Sequence, residues 1–361
     1  MKSVRVLHTE WSDGWGGQEI RIISEMIAIR ENGVEVFLAC RDKSQIKLKA
    51  IEKNIHVFTM PFGGNVDFKT IFALRKVVKE FDIDIINTHS GKDTWVGGIA
   101  AKLSGIKFIR TRHLSNPIKK NRLNFINELA DFIFTTGEKV KEDMIKNNRI
   151  DPSKIQSIPT GIDTEIYNPK NFDRIRSRKF FELPDDHIVI GIIAVLRQFK
   201  RHDLFLEMSR DLLRKFPNKK FVFIIAGDGP QKESLLEYSK KLNIESNVRF
   251  LGHVDNVAEL LSAIDIFVLS SDSKEGVPQS VMQALLMEKY VVATSSGSTE
   301  DLLHDNNFQL VSADSRKALT EGVSSFLDFP EKRNIGCYVQ ENFSRTVMVK
   351  KIIHIYNRIL S

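Results

Sequence analysis

Short apolar runs alternate with amphipathic stretches throughout the first half of the chain. Runs rich in β-branched residues predict strands, and apolar residues at three- and four-residue spacing predict helices. The predicted strands are 4–8, 34–39, 83–88, 107–111 and 132–135. The predicted helices are 18–32, 68–81, 94–103, 122–130 and 138–147. Strands joined through helices pair in parallel, so this half is predicted to form a doubly wound sheet.

The pattern restarts after a stretch that interrupts regular structure. Residues 158–169 contain Pro159, Gly161 and Pro169 and predict a linker. Beyond it, strands are predicted at 188–195, 221–226, 248–251, 266–269 and 290–293, and helices at 203–216, 231–242, 257–262, 281–287 and 299–304. A last amphipathic helix is predicted at 346–360. The 361 residues are therefore expected to form two α/β domains.

The composition, with 42% hydrophobic and 27% charged residues, is that of a globular protein. The longest apolar runs, 188–196 and 221–226, fall far short of the roughly 20 residues that span a bilayer. The chain turns polar at Thr9 and Glu10, so its first segment is interpreted as a strand and not as a secretory signal. Cys40 and Cys337 lack metal-ligand spacing, and we expect neither a disulfide nor a zinc site, in a reducing cytoplasm.

The net charge of +7 includes a stretch, 94–127, that contains no acidic residue. Its basic residues include Arg110, Arg112, Lys119, Lys120 and Arg122. A patch of one sign predicts an anionic partner, which could be lipid headgroups, a phosphorylated substrate or nucleic acid. A solvated basic face is the alternative. Nucleic acid is disfavoured because no known reader motif accompanies the charge.

Ligands of doubly wound sheets bind beyond the carboxyl ends of the strands, so the loops that follow the strands are the candidate sites. Gly16 and Gly17 follow the first strand at the start of a helix, where backbone N–H groups can approach a phosphate closely. His89 follows the strand 83–88, and Arg112 and His113 follow the next one. A plain turn and structural histidines are the alternatives.

The second half carries a similar set of polar residues after its strands. Arg197 and Lys200 follow its first strand, and two cations in one loop suit a diphosphate. Glu275 precedes a helix that begins near Pro278. Backbone N–H groups at that helix start could meet anionic groups of a ligand, while the carboxylate could accept hydrogen bonds from hydroxyls.

The segment 272–284 resembles the signature of the retaining glycosyltransferases of family 4, which have the GT-B fold. Glu275 matches the first of two glutamates that are separated by seven residues in that family, whereas Gln283 replaces the second. Further resembling segments occur in the same order along residues 4–310: Gly16-Gly17, Thr88-His89-Ser90, 159–163, Arg197 with Lys200, 226–230 and 250–253.

The resemblance implies an architecture and an activity. The fold would comprise two Rossmann-like doubly wound domains facing across a cleft: an acceptor-side domain at 1–165, a nucleotide-sugar-binding domain at 166–340, and a C-terminal helix at 341–361 that returns to the N-terminal domain. The activity would be retaining transfer of a sugar from a nucleotide-diphosphate sugar to a cell-surface glycan, such as lipopolysaccharide or a lipid-linked saccharide. A nucleotide-sugar epimerase of the same fold and a non-catalytic nucleotide-sugar-binding subunit are the alternatives.

The resemblance also assigns residues. Arg197 and Lys200 would bind the donor diphosphate, and Glu275 and His89 would contact the transferred sugar; these four are the expected catalytic residues. The expected donor-binding residues are Gly16, Gly17, Gly276, Val277, Pro278, Gln279, Ser280 and Gln283. The expected acceptor- or membrane-binding residues are Arg112, His113, Lys119, Lys120 and Arg122.

The sequence and the resemblance also lead to expectations about cofactors, partners and cellular location. No cofactor and no metal ion is expected, because the two cations would neutralise the leaving phosphates. Asp82 and Asp84 form a D-x-D sequence, but they lie in a turn from helix to strand. The expected partners are the nucleotide sugar, the glycan or lipid-linked acceptor and an anionic membrane surface. The protein is expected to be cytoplasmic and peripheral on the inner face of the cytoplasmic membrane.

Overall fold

The computed structural model describes residues 3–113, 125–272, 275–328 and 336–361. The chain divides into two compact units. The first unit contains Met1–Gly161 and Arg345–Ser361, and the second contains Ile162–Ser344. The sequence places these two boundaries after residues 165 and 340, a few residues from where the units change over.

In the first unit, the described residues form a seven-stranded sheet in which all pairings are parallel. The strands are β1 (Arg5–Glu10), β2 (Glu35–Cys40), β3 (His56–Thr59), β4 (Ile85–Thr88), β5 (Lys107–Arg112), β6 (Phe132–Thr135) and β7 (Ile155–Ser157). The helices between them are α1 (Gly17–Glu31), α2 (Gln45–Glu52), α3 (Phe68–Glu80), α4 (Gly91–Ser104) and α5 (Glu138–Asn148). The strand order is β3-β2-β1-β4-β5-β6-β7, which is the doubly wound order of a Rossmann-like sheet.

The helix ends of this unit follow local chemistry. The Asp67 side chain accepts a hydrogen bond from the backbone N–H of Thr70 and caps α3. Ser90 and Asp93 form a reciprocal capping box at the start of α4, and Gly105 ends that helix in the left-handed conformation, with a φ of 72°. Both α3 and α4 follow a parallel strand and therefore begin at the carboxyl edge of the sheet.

The second unit repeats the architecture. Its strands are β8 (Ile188–Ile193), β9 (Phe221–Ala226), β10 (Val248–Gly252), β11 (Ile266–Leu269), β12 (Tyr290–Thr294) and β13 (Gln309–Val311). Its helices are α6 (Arg174–Phe180), α7 (His202–Lys215), α8 (Lys232–Lys241), α9 (Val257–Ala263), α10 (Gln279–Leu286), α11 (Arg316–Asp328) and α12 (Cys337–Phe343). The order β10-β9-β8-β11-β12-β13 is again parallel and doubly wound.

The last helix, α13 (Arg345–Leu360), belongs to the first unit. Its apolar face includes Met348, Ile352 and Tyr356, which are buried in one cluster with Ile22 and Met26 of α1. The amphipathic pattern therefore predicted this helix correctly, and the expectation that it returns to the N-terminal domain is confirmed.

Neighbouring residues of a strand point to opposite faces of its sheet, and helices cover both faces. In the first unit, Ile85 and Ile109 face the cluster with α1 and α13. Ile86 and Phe108 face the cluster with α3 and α4. Both faces are apolar, so the strands read as nearly continuous hydrophobic runs and the polar side chains collect at the strand ends.

Two predicted helices are wrong in the described residues. Within 122–130, Phe125–Asn127 form one 3-10 turn. The chain then enters β6, and the Asp131 carboxylate accepts a hydrogen bond from the backbone N–H of Phe108 just before that strand. Within 299–304, Thr299–Leu302 form a 3-10 turn, because the Thr299 side chain bonds the carbonyl of Ser296 and competes with the helical pattern.

Candidate active site

Both sheets have a point at which the strand order reverses, between β1 and β4 in the first unit and between β8 and β11 in the second. Loops diverge at such a point and leave a crevice at the carboxyl edge, where open α/β sheets bind ligands. In the second unit, Arg197 and Lys200 follow β8, and Glu275 follows β11. The sequence-predicted phosphate-binding and sugar-binding residues thus flank this crevice from its two sides.

Arg197 begins a 3-10 turn, Gln198–Lys200, directly beyond β8. The loop is backed by Gly229, whose φ of 155° is disfavoured for other residues and whose Cα lies against the backbone of Leu196, leaving no room for a side chain. Arg197 is exposed, and its guanidinium makes no hydrogen bond or ion pair with any residue that the structure describes. It is therefore free to bind an anion.

Lys200 and Glu275 form an ion pair between the two loops. Their side chains are 14% and 9% exposed, so water screens the pair only weakly. Gly297, with a φ of 56°, packs directly on the backbone of Glu275, and a methyl group there would overlap the Glu275 carbonyl. Gly297 and Lys200 together fix the position of the Glu275 carboxylate.

Helix α10 begins beside this ion pair. Pro278 is its N-cap, and the proline ring offers no acceptor for the first N–H groups of the helix. Gly276, Gln279 and Ser280 are partly exposed around this start, whereas Val277 is buried in the apolar cluster beneath it. Gln283 lies one turn into the helix and is partly exposed. The structure therefore brings a free guanidinium, an ion pair and an open helix N-terminus to one edge of the second sheet.

In the first unit, Gly16 is the N-cap of α1, and its N–H donates to Glu19 Oε2 at 2.9 Å. Neither Gly16 nor Gly17 has a positive φ, and a methyl group added at Gly17 would meet nothing within 4 Å. The protein's own packing therefore does not explain why glycine stands at position 17.

His89 lies in a row of three histidines. Its Nε2 is 2.9 Å from Nδ1 of His8, and its Nδ1 is 2.9 Å from Nε2 of His113. Burial lowers the pKa of His8 to about 3, and burial, followed by the neighbouring charges, holds the pKa of His89 and His113 well below the usual range. All three rings are neutral at pH 7. Since both ring nitrogens of His89 are already bonded, its expected contact with the transferred sugar would require one of these bonds to be exchanged, and that contact stays a prediction.

A second buried group, which the sequence analysis missed, holds the first loop in place. Glu10 Oε1 accepts from Ser90 Oγ at 2.6 Å and from the Ser12 N–H at 2.8 Å, and Gln18 Nε2 donates to the other Glu10 oxygen. Burial, against these hydrogen bonds, raises the pKa of Glu10. The group ties the loop of Gly16 and Gly17 to the start of α4. The position of Glu10 at the carboxyl end of β1 was the available signal.

Two family models match the chain one after the other. The model described as Glycosyltransferase Family 4 matches residues 15–166, and the model described as Glycosyl transferases group 1 matches residues 173–335. The chain belongs to the GT-B glycosyltransferases of family 4. The resemblance to family 4 that was inferred from the motifs is thereby confirmed, and so is the α/β GT-B fold.

Curated relatives of this family 4 glycosyltransferase share about a quarter of its residues. An Escherichia coli protein named UDP-Gal:alpha-D-GlcNAc-diphosphoundecaprenol alpha-1,3-galactosyltransferase is 24% identical, over 78% of this chain and 76% of its own length. The N-acetyl-alpha-D-glucosaminyl L-malate synthase of Bacillus anthracis is 23% identical, over 81% of this chain and 78% of its own length.

Solved structures show the same fold. A glycosyltransferase from Rickettsia africae superposes with a TM-score of 0.89 at 19% identity, covering 100% of both chains. HepE of Anabaena in complex with UDP superposes with a TM-score of 0.84 at 17% identity, covering 98% of this chain and 100% of its own. At these identities the likeness establishes the fold alone.

The residues of this family 4 glycosyltransferase that were expected to bind the acceptor or the membrane fall partly within the described residues. Arg112 ends β5, and His113 follows it in the histidine row. Lys119, Lys120 and Arg122 lie outside the described residues. In the described part of the chain, no helix has the length and hydropathy needed to cross a bilayer.

The D-x-D sequence has a structural role. Asp84 accepts a hydrogen bond from the Arg5 N–H at 2.8 Å, and Asp82 lies 3.7 Å from the Arg5 guanidinium. Both carboxylates therefore hold β1 beside β4. Among the described residues, no group of three or more histidines, cysteines or carboxylates is arranged to hold a metal ion.

Proposed function

We propose that this glycosyltransferase moves a sugar, with retention of configuration, from a nucleotide-diphosphate sugar to a glycan or lipid-linked acceptor. The observation that carries the proposal is the group formed by Arg197, the Lys200–Glu275 ion pair and the open start of α10. Cations and N–H groups that converge on one strand edge suit a diphosphate, and a fixed carboxylate beside them suits sugar hydroxyls.

The chemistry follows from the charges that develop. Cleavage of the bond between the anomeric carbon and the phosphate oxygen places negative charge on the departing diphosphate. Arg197, Lys200 and the first N–H groups of α10 would stabilise that charge, so no metal ion is required. Glu275 would accept hydrogen bonds from sugar hydroxyls while it keeps Lys200 in place. Gln283 would bond the ribose hydroxyls, as an amide can both donate and accept.

Retention is proposed to occur by attack on the face from which the diphosphate leaves. The acceptor oxygen forms a bond to the anomeric carbon as the bond to the phosphate oxygen breaks, and the leaving phosphate oxygen takes the acceptor's proton. The protein then needs no basic side chain for that proton. Its contribution is to position the reactants and to stabilise the leaving group.

The named relatives support a nucleotide sugar and a lipid-linked acceptor. The Escherichia coli relative carries UDP-Gal and a diphosphoundecaprenol saccharide in its name, and HepE has been solved with UDP and with UDP-glucose. A lipopolysaccharide outer core galactosyltransferase, WaaB, shares the fold with a TM-score of 0.76. We accordingly propose that the acceptor is a surface glycan under assembly.

Incubation with a panel of nucleotide-diphosphate sugars in excess EDTA tests this function. We expect slow hydrolysis of one donor, and the released sugar should first appear in the donor's own anomeric configuration by NMR. Hydrolysis that stops in EDTA and resumes with a divalent ion would contradict the metal-independent mechanism. First appearance of the opposite anomer would contradict retention.

We also propose that the protein works at the membrane surface, through the acid-free stretch 94–127. Charge reversal of Lys119 and Lys120 to glutamate should release the protein from vesicles that contain anionic lipid, as measured by flotation. The matched control reverses Lys240 and Lys241, an exposed pair on α8, and should float as the wild type does. Equal flotation of the Lys119/Lys120 variant and the wild type would rule out this surface.

A further inference from the structure

Arg110 lies in β5, on the face of the first sheet that α4 covers. Phe108 is on the same face, and its ring lies against Gly98 of α4, where an added methyl group would be 2.7 Å from Phe108 Cε1. Helix α4 runs back along the sheet, antiparallel to β5. Two strand residues advance about 6.6 Å, which corresponds to about four residues of helix. Arg110 therefore lies at the level of the first turn of α4, near Asp93.

The Arg110 side chain is buried, and the fold does not account for its charge. The residue is 5% exposed, its Nε is enclosed without a hydrogen-bond partner, and its guanidinium forms no hydrogen bond or ion pair with a described residue. Other buried arginines differ. Arg21 bonds the carbonyl of Ile158 and pairs with Glu25, and Arg178 bonds several carbonyls and pairs with Asp265. A buried guanidinium without a partner is costly unless a ligand binds it.

The nearby carboxylate does not meet this need. Asp93 attracts Arg110 but forms no ion pair with it. The Asp93 oxygens instead accept from Thr9 Oγ1, the His89 N–H and the Ser90 N–H, each at 2.8 Å. Burial, and then the neighbouring Arg112, lower the pKa of Arg110 to about 10, so the group is charged at neutral pH.

Two further features at this strand end favour an anion. Arg112 is on the same face of β5, two residues closer to the carboxyl end of the strand than Arg110, and is thus level with the start of α4. The N–H groups of Gly91 and Lys92, in the first turn of this 14-residue helix, donate to no described residue. A methyl group at Gly91 would meet nothing within 4 Å, so the turn is open.

We propose that Arg110, with Arg112 and the first turn of α4, binds a phosphate group of the acceptor. This inference rests on the proposed function, since it names the chemistry of the acceptor. Guanidinium groups match phosphate oxygens in pairs, and a helix N-terminus adds N–H donors. The phosphate belongs either to a free sugar phosphate or to the diphosphate of a lipid-linked sugar.

Titration of inorganic phosphate into the full-length protein, saturated with UDP to occupy the donor site, tests the subsite by calorimetry. We expect the wild type to bind phosphate and Arg110→Met to bind it at least tenfold more weakly. Lys107→Met removes the same charge from the opposite end of β5 and should bind as the wild type does. Equal phosphate affinity of the wild type and Arg110→Met would overturn the subsite.

The melting temperature separates binding from structure. Because Arg110 has no described partner, Arg110→Met removes an uncompensated buried charge and should melt at or above the wild-type temperature without phosphate. Phosphate should raise the melting temperature of the wild type and leave that of the variant unchanged. A variant that melts lower and still responds to phosphate would show that Arg110 is structural.

Three acceptor probes identify the source of the phosphate: a hexose 1-phosphate, a hexose diphosphate on a short alkyl chain, and a neutral octyl hexoside. Arg110→Met should weaken binding of whichever phosphorylated probe the wild type prefers. Binding of the neutral hexoside as tightly as the phosphorylated probes would overturn the proposal. If the wild type fails to bind UDP while its phosphate binding depends on Arg110, the proposed function fails and the subsite stands.

Discussion

Replacement of Arg197 by alanine is expected to lower sugar transfer by about 100- to 1,000-fold. Removal of one positioned hydrogen-bond donor that stabilises the charge of a transition state typically lowers the rate by about that factor. The same change should leave the free energy of unfolding within about 0.5 kcal/mol of the wild type, since Arg197 is exposed and has no described partner. Steady-state kinetics with the preferred donor and urea unfolding measure the two effects.

The matched control for this variant is Arg214→Ala, which removes an exposed arginine near the end of α7. It should transfer sugar at the wild-type rate. A fall in kcat for Arg197→Ala without a change in the donor's KM would place the interaction in the transition state. Near-normal turnover of Arg197→Ala would remove this residue from the diphosphate site.

Replacement of Lys200 by methionine is expected to damage both stability and activity. The Glu275 carboxylate would remain buried without its ion-pair partner, which should lower the free energy of unfolding by about 3 kcal/mol. Transfer should fall by at least 100-fold, because the cation proposed to bind the phosphates is lost and the carboxylate proposed to bind the sugar is no longer held. Urea unfolding and donor turnover give the two values.

The double variant Lys200→Met with Glu275→Gln separates these effects. It removes the unpaired charge, so most of the lost stability should return, whereas transfer should stay low. A single variant as stable as the wild type would show that the ion pair contributes little to folding. Recovery of transfer in the double variant would show that neither charge takes part in the reaction.

The sequence predicted those elements in which local pattern and packing agree. The strands 221–226 and 266–269 were placed at their observed limits, because each is a continuous buried run bounded by polar residues. Two of the elements that were missed have weak patterns. Strand β3 is partly exposed and short, and α2 buries only Ile46 and Ala50, so neither shows a strong period. Their place is decided by pairing with β2 and by packing on the sheet.

The candidate site was predictable to the extent that its residues follow strands. Arg197, Lys200 and Glu275 were found because strand ends and a family motif both mark them. Partnerships across long sequence separations were not predictable. The bonds from His89 to His8 and His113 join a residue inside β1 to the residues that follow β4 and β5. The role of Gly297 depends on the backbone of Glu275. Such contacts exist only once the sheet order is set.

A crystal structure of the protein with bound UDP tests the central claim most directly. We expect the diphosphate to contact the Arg197 guanidinium, the Lys200 ammonium and the first N–H groups of α10. A diphosphate bound away from the carboxyl ends of β8 and β11, with these groups unoccupied, would contradict it.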